Sequence, residues 1–519
     1  MNLKVLVNKW NTKYLILALF GGCISILGYL IYALDPIQIL IDKLLTLQPG
    51  SILYKLWTFP PYEILVNVYI FNITNSGRFL AGKEKLNVTE VGPYVYQEIL
   101  KNTNGHLNKN NTLTYKPKRE LVFRKDLSPN NPYEDLIITP NIPLLGISSY
   151  LKDNYGYVIN LGLASVANMV KSKPIEHLTP SSYLFGYDDP LVTLASTYIP
   201  SWIDFTKFGI LDRIMALDNA DNTVTLHLSN STLNYSNSDI DEILPNSINI
   251  FNGSPGLKHL GYSDDEKSRC NTIQGAFDGG LFARNMKENT TLKLYRRAFC
   301  RTVNIVYENK NFTNGGLEYY QYRLDPNLLL NNISDNKCYC SNNKKCLPNG
   351  FGSIAPCYYG IPIVISQPHY YNADERVLEQ VNGLNPTKEK HDTIMKINPY
   401  LGVPIEGKLR VQINLKVSEN LAVSNYKPFQ GMMLPLFWLE MVIDDTPFYI
   451  KIVMYIGKYI TSIVITISCV LILLGMSLLT LAMLFIFYYP CRNHNLKNLC
   501  DNRVGYSPIL TVPMQSCRI

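Results

Sequence analysis

Two long apolar segments without any charge constrain this chain more than its other features. Tyr14 to Leu34 has no charged residue over 21 positions, and Ile460 to Tyr489 has none over 30 positions. Each is long enough to cross a hydrocarbon core of about 30 Å as a helix. We therefore expect membrane spans at residues 14–34 and 460–489. A cleaved signal peptide is the alternative for the first segment, but its apolar run exceeds the usual length of about 7 to 15 residues.

The charges that flank these segments predict their orientation. Three lysines precede the first segment, and four basic residues against one acidic residue follow the second. Because basic flanks stay in the cytosol, we expect cytosolic termini at residues 1–13 and 490–519 and one extracellular or lumenal domain at 35–459. The two tails carry +6 of the formal net charge of +7. The domain between the spans is thus near neutral, and we expect no nucleic-acid partner.

Glycosylation sequons agree with this topology. The N-x-[ST] pattern is absent from both tails and occurs at Asn72, Asn87, Asn110, Asn230, Asn234, Asn252, Asn289, Asn311 and Asn332.

Six of the eleven cysteines lie close together in the second half of the chain. They are Cys270, Cys300, Cys338, Cys340, Cys346 and Cys357. An even number in one segment predicts a disulfide framework, which persists in an oxidising compartment. A metal site at Cys338, Cys340 and Cys346 is the alternative, but no C-x-x-C pair or suitably spaced histidine accompanies them. Six cysteines allow fifteen pairings, and the residues themselves leave the pairing open.

Apolar periodicity predicts an outer domain that is mostly antiparallel β, with one helical insertion. The residues from Leu409 to Val417 alternate strictly between apolar and polar, which predicts a strand with one wet face. Residues 64–73, 223–228 and 361–365 also favour strands. Residues 36–47 have helical spacing, which fits an amphipathic helix at the membrane or a core-facing helix. A longer helical pattern covers residues 142–173 and stops at Pro174.

Several stretches resemble the class B scavenger receptor family. They occur in the family's order between the two apolar segments: Val91 to Tyr96 (VGPYVY), Gly186 to Pro190 (GYDDP), Phe251 to Gly253 (FNG), Gln367 to Tyr370 (QPHY), Val381 to Pro386 (VNGLNP) and Leu434 to Trp438 (LPLFW). No short motif among them is specific alone, but the ordered set covers nearly the whole chain. The chain departs from the family at Phe185, where tryptophan is usual, and at residues 261–266.

The resemblance implies an α+β fold, with a large, mostly antiparallel β-barrel-like ectodomain, an apical helical bundle at residues 142–173 and an apolar tunnel to the bilayer. Family pairing would join Cys270 to Cys338, Cys300 to Cys357 and Cys340 to Cys346, within a bridged region of residues 270–357. Lys171 and Lys173 match a lysine pair that engages anionic ligands. The alternative is that these lysines only keep a helix terminus hydrated and complement its dipole.

Sequence motifs for catalysis or cofactor binding are absent. The chain has no H-E-x-x-H, G-x-S-x-G, phosphate loop or dinucleotide fingerprint. We therefore expect neither an enzyme nor a cofactor, and we interpret His369 as a structural residue rather than a base.

The C-terminal tail carries two short signals. Tyr506 and Ile509 have the form that clathrin adaptors bind, which favours cycling to endosomes or lysosomes. Cys491 is a palmitoylation candidate, although a plain cytosolic thiol fits equally well.

Together these features predict a plasma-membrane scavenger receptor. We expect it to bind lipoprotein particles, fatty acids or other lipid and anionic ligands, and to transfer lipid to the membrane bilayer. One alternative is a lysosomal sorting receptor that binds a protein partner at its apex. A trimeric ligand-gated channel is the alternative of another class, but no ionisable residue marks a pore in the second span.

Overall fold

A computed structural model describes residues 3–236, 239–340, 346–422, 424–444 and 446–501. Its contacts divide the chain into two units, Met1–Lys43 with Ile456–Ile519, and Leu44–Tyr455. The described helices are α1 (Leu3–Leu34), α2 (Pro36–Leu45), α3 (Ile52–Thr58), α4 (Ser76–Leu80), α5 (Ile142–Tyr155), α6 (Tyr157–Met169), α7 (Pro180–Phe185), α8 (Pro190–Tyr198), α9 (Ile210–Asn219), α10 (Glu375–Leu378), α11 (Lys388–His391) and α12 (Phe448–Asp501).

The described strands all belong to the second unit. They are β1 (Ile64–Ile73), β2 (Leu86–Leu107), β3 (Thr112–Phe123), β4 (Ile137–Pro140), β5 (Ile175–Leu178), β6 (Val224–His227), β7 (Ser231–Ser236), β8 (Asp239–Ile243), β9 (Ile248–Phe251), β10 (Ala276–Phe277), β11 (Leu292–Tyr295), β12 (Thr302–Phe312), β13 (Glu318–Leu324), β14 (Gly352–Ser353), β15 (Ile363–Ser366), β16 (Val381–Asn382), β17 (Ile394–Asn398), β18 (Val403–Lys416) and β19 (Met433–Ile443).

One large sheet organises the second unit. Its strands follow the order β10-β11-β12-β13-β17-β18-β19-β1-β2-β3-β6-β9, and β14, β15 and β16 pair alongside this path. The neighbours are antiparallel except for β10 with β11 and β16 with β2. The result is the expected α+β fold with a large, mostly antiparallel sheet. Strand β1 shows why the sheet forms, because its β-branched residues bury one face in near-perfect alternation.

The expectation that one face of residues 409–417 is wet is wrong. The strand β18 forms there, but the polar residues Gln412 and Asn414 are as buried as their apolar neighbours. Strand β15 pairs with this part of β18 in the sheet, and the side chains bond to protein instead of water. Gln412 donates to Asn414 at 2.6 Å and Asn414 donates to the hydroxyl of Ser366 at 2.9 Å. Alternation therefore located the strand but not the protein partners of its polar side chains.

The helical insertion forms two helices that break where glycine permits it. Asn141 caps α5 by accepting a hydrogen bond from the backbone N–H of Leu144 at 2.8 Å. Gly156 separates α5 from α6 and has a φ of +85°, which residues with a side chain rarely adopt. The first half of α5 is fully buried, whereas most of α6 faces outward. This pair is where the sequence predicts an apical bundle.

Two helical segments, which lie mostly in the first unit, are long and apolar enough to cross a membrane. They cover Thr12–Leu45, with mean hydropathy 2.2, and Phe448–Ile486, with mean hydropathy 2.7. Within this unit α1 and α12 touch at small residues: a Cβ placed on Gly21 would lie 2.9 Å from the carbonyl oxygen of Gly475. Close approach at glycine is typical of helix pairs in membranes.

Candidate functional site

Four apolar cavities lie in series inside the second unit. The first has a volume of about 60 Å³ and is lined by α5, α8, α9 and β15. The second, third and fourth have volumes of about 30, 120 and 40 Å³. Apolar side chains dominate the walls of each. The strands and helices that surround them place isoleucine, leucine and valine inward, as their buried positions require.

Shared wall residues join each cavity to the next. The first and second cavities share Ile214 and Ile413, and the second and third share five residues that include Val411. The third and fourth share Tyr62, Leu100, Asp278 and Gly280. We call this set the cavity series. It begins beneath the helical insertion and ends among residues of α2, α3 and the first turns of α12.

A network of four charged side chains lies where the second cavity meets the third. Arg296 pairs with Glu98 and with Asp218, and Arg119 lies 3.5 Å from Glu98. The backbone N–H of Ala298 donates to Asp218 at 3.1 Å. We call Glu98, Arg119, Asp218 and Arg296 the charged waist. Burial tends to lower the pKa of Arg296, but the two carboxylates outweigh it and the pKa is raised.

Below the charged waist, two phenols turn their hydroxyls toward polar partners. Tyr62 donates to the carbonyl oxygen of Gly280 at 3.2 Å, and Tyr115 donates to Asp278 at 3.1 Å. Burial first, and the Asp278 carboxylate second, raise the pKa of both phenols. Both hydroxyls therefore stay protonated. The ring of Tyr62 also lines the third and fourth cavities.

The helical insertion presents both charge and apolar surface. Lys171 and Lys173, the predicted ligand residues, are both exposed and follow the end of α6. Nearby apolar side chains are exposed as well: Val158 at 78%, Met169 at 73% and Tyr155 at 62%. Lone exposed apolar residues are ordinary, but several on one helix pair mark a contact surface.

Comparison with known proteins identifies the family. A family profile described as CD36 family matches residues 16–486. This chain belongs to the CD36 family. It is 27% identical to bovine scavenger receptor class B member 1 over 471 residues, which cover 88% of this chain and 87% of the bovine protein. It is 29% identical to human lysosome membrane protein 2 over 401 residues, covering 77% and 79% of the two chains. The mouse scavenger receptor class B member 1 is 27% identical over 426 residues, or 80% and 79%.

The structure of this CD36-family chain joins the six clustered cysteines as disulfides. Cys270 pairs with Cys338, Cys300 with Cys357, and Cys340 with Cys346. This is the pairing that the family resemblance implies. The cysteines of the metal-site alternative, Cys338, Cys340 and Cys346, are all engaged in these bridges.

Most predicted sequons lie on accessible surface. Asn110, Asn230, Asn252, Asn289, Asn311 and Asn332 are exposed, and Asn72 and Asn87 are half-buried. Asn72 also accepts a hydrogen bond from the backbone N–H of Ile138 at 2.8 Å, so attachment there competes with a structural contact. The side chain of Asn234 lies outside the part that the structure describes.

His369 lies in a buried cluster, which fits the structural role expected from its sequence. Its Nε2 is 2.7 Å from Glu90, which also accepts from the indole of Trp438 at 2.7 Å. The backbone N–H of Asn385 donates to its Nδ1 at 3.1 Å. His391 stacks on the ring with centroids 4.5 Å apart. The cluster does not line the cavity series.

The predicted tail signals remain predictions. Tyr506 and Ile509 lie outside the described residues, and so does the side chain of Cys491.

Sequence reasoning missed the charged waist. Its members come from β2, β3, α9 and the segment before Cys300, so no local pattern joins them. One signal was available: Glu98 lies two residues from Tyr96 and Leu100 on the buried face of β2. A carboxylate on the apolar face of a strand needs a buried partner.

Proposed function

We propose that this chain is a membrane receptor that binds lipids and lipoprotein particles at its apical helices and transfers lipid through the cavity series to the bilayer. The observation that supports this proposal is the row of apolar cavities with shared walls. Each methylene moved into water costs about 0.8 kcal/mol, so an apolar path lowers the barrier for an acyl chain by on the order of 10 kcal/mol. In this conformation the cavities hold only part of such a chain, and passage requires their wall side chains to move.

Blocking the path tests the proposal. Val411 lines both the second and the third cavities, so Val411→Trp fills their junction. The matched control is Val122→Trp, at an exposed position on β3. Cells expressing the full chain with an extracellular tag are given lipoprotein that carries a fluorescent lipid. We expect V411W to bind particles normally per surface receptor and to lose at least about five-fold in lipid uptake. Unchanged uptake in V411W would refute the conduit.

Lys171 and Lys173 are the proposed contact for anionic ligands. Two exposed ammonium groups on a near-neutral domain make a local positive spot that attracts a carboxylate or an anionic particle. We expect Lys171→Glu with Lys173→Glu to weaken particle binding several-fold without changing surface density. The control is the same double change at Lys101 and Lys118, exposed lysines that face each other across β2 and β3. Equal binding by both double variants would remove the apical lysines from the mechanism.

A protein partner at the apex is the second candidate function. The outward apolar residues of α5 and α6 favour it, because they offer contact surface that a lipid conduit does not need. Proximity labelling from a tag at the apex would compare wild type with Val158→Asp. A lumenal protein that the wild type labels and V158D does not would support this function. Identical labelling would contradict it.

We also propose that both termini are cytosolic and that the chain moves between the cell surface and endosomes or lysosomes. The basic flanks and the sequons support this topology, and the Tyr506 signal supports the cycling. Tyr506→Ala should raise surface density if a clathrin adaptor binds the tail. An unchanged distribution would leave the plasma membrane as the residence. The channel alternative loses support, since the named relatives include scavenger receptors and neither name describes a channel.

A further inference from the structure

One oxygen of the charged waist has no partner in the described part of the chain. Both arginine contacts of Glu98 reach the same atom, Oε1. The other atom, Oε2, is buried and has no hydrogen-bond donor among the described residues. Glu98 as a whole is only 3% exposed. A buried carboxylate oxygen without a donor is costly, and proteins tolerate it where a ligand or water supplies the missing bond.

This oxygen belongs to a residue on the proposed lipid path. Glu98 lines both the second and the third cavities. Next to it, the third cavity is walled by apolar residues that include Leu100, Leu294 and Ile305. The Glu98 side chain has no accessible surface in this conformation, so the polar end of a lipid in the third cavity reaches Oε2 only when the wall side chains move apart.

Charge decides which polar end fits. The waist holds two guanidinium groups and two carboxylates, so its formal charge is zero. The three nitrogens of Arg296 already donate to Asp218, Met441 and Glu98. An ionised head group would meet a neutral network and the negative Oε2. An ester offers no donor to Oε2, whereas a hydroxyl donates one hydrogen bond and adds no charge.

We propose that Glu98 is a specificity-determining residue whose Oε2 accepts a hydrogen bond from the hydroxyl of a lipid in transit. The chain then favours lipids with one uncharged hydroxyl, such as long-chain alcohols or sterols, over esters without a donor and over ionised fatty acids. This inference rests on the proposed transfer function and names its substrate class.

The test uses three probes with the same sixteen-carbon chain: hexadecanol, methyl palmitate and palmitate. Cells expressing the full chain receive lipoprotein particles loaded with equal amounts of the three radiolabelled probes, and uptake by cells without the chain is subtracted. A single hydrogen bond to a charged group is worth about tenfold in selectivity, so we expect about tenfold preference for hexadecanol over methyl palmitate. Palmitate should transfer no better than the ester.

Glu98→Gln places an amide where the carboxylate was. Because Arg119 and Arg296 require an acceptor, the amide oxygen faces them and its NH₂ takes the position of Oε2. A donor at that position can also bond to the carbonyl oxygen of an ester, so the preference for the alcohol should fall to about twofold or less. Glu120→Gln is the matched control, since Glu120 is an exposed glutamate on β3. It should keep the wild-type preference.

The possible outcomes distinguish a failure of this inference from a failure of the proposed transfer function. If the wild type transfers none of the probes, the proposed transfer function fails. Transfer of all three without preference, or a preference for palmitate, overturns the role of Glu98, because Oε2 is then served by water or the arginines select an anion. A preference that E98Q keeps also overturns it. If E98Q fails to reach the surface, the wild-type ratio of hexadecanol to methyl palmitate uptake still tests the inference. Glu98→Asp provides a second test, because it retains an acceptor and should retain the preference.

Discussion

Burial of His391 makes the stability of this chain depend on pH. The side chain is 3% exposed, and burial is the largest cause that lowers its pKa from 6.5 to about 4. His369, Arg410 and Lys390 lower it further, while Glu90 opposes them. The folded chain therefore keeps this imidazole neutral at a pH where the unfolded chain protonates it.

The sign of the effect follows from proton binding. Between about pH 6.5 and pH 4 the unfolded state binds one proton more than the folded state, so acidification stabilises the unfolded state. Since one pKa unit corresponds to about 1.4 kcal/mol, acidification can lower the free energy of unfolding by at most about 3 kcal/mol through this group. Between pH 7.5 and pH 5 the two pKa values give a loss of about 2 kcal/mol.

His391→Asn isolates this contribution. The asparagine oxygen can still accept the backbone N–H of Thr387, which donates to His391 Nδ1 at 2.8 Å, but the side chain no longer titrates. We expect the variant to lose stability at pH 7.5, because the ring contacts with His369 and Trp438 are gone. On acidification to pH 5, however, the wild type should lose about 2 kcal/mol more than the variant.

Urea unfolding of the detergent-solubilised full chain, followed by tryptophan fluorescence at a series of pH values, measures this difference. His106→Asn is the matched control, because His106 is exposed and lies outside the His391 cluster. The reasoning would be refuted if the difference in free energy of unfolding between wild type and H391N stayed constant from pH 7.5 to pH 5.

Three further predictions concern the framework. Removing the Cys300–Cys357 disulfide, which spans 57 residues, by serine at both positions should cost about 4 kcal/mol in urea unfolding; an unchanged midpoint would contradict this. Gly383 has a φ of +96°, and a Cβ there would lie 1.9 Å from the Val88 carbonyl oxygen, so Gly383→Ala should lower the free energy of unfolding by more than about 2 kcal/mol. The control Gly82→Ala, at a φ of +67° with open space around it, should lower it by about 1 kcal/mol. Gly21→Leu should separate α1 from α12 and lower surface delivery in immunoblots, whereas Gly22→Leu, which meets nothing within 4 Å, should not.

Local sequence patterns predicted more of the fold than of the candidate site. The strand at residues 64–73 follows from its β-branched and aromatic residues, and the helical insertion at 142–173 follows from helical spacing. Both signals depend only on neighbours in the chain. Burial of the polar face of β18 could not be predicted in this way. It depends on segment 363–370, which lies about fifty residues earlier and supplies Ser366 as a bonding partner.

The family resemblance predicted the disulfide pairing, which periodicity could not, but it did not predict the charged waist. Motifs in the family's order imply a disulfide pairing among fifteen, and the structure shows the same pairing. No motif includes Glu98, Asp218 or Arg296, because a buried charge network needs only that its members meet within the fold. A sequence can bring such charges together from any segment whose strand or helix faces the same cavity. In the proposed function, the apolar walls let many lipids fit, and the orientation of one carboxylate oxygen decides which of them is favoured.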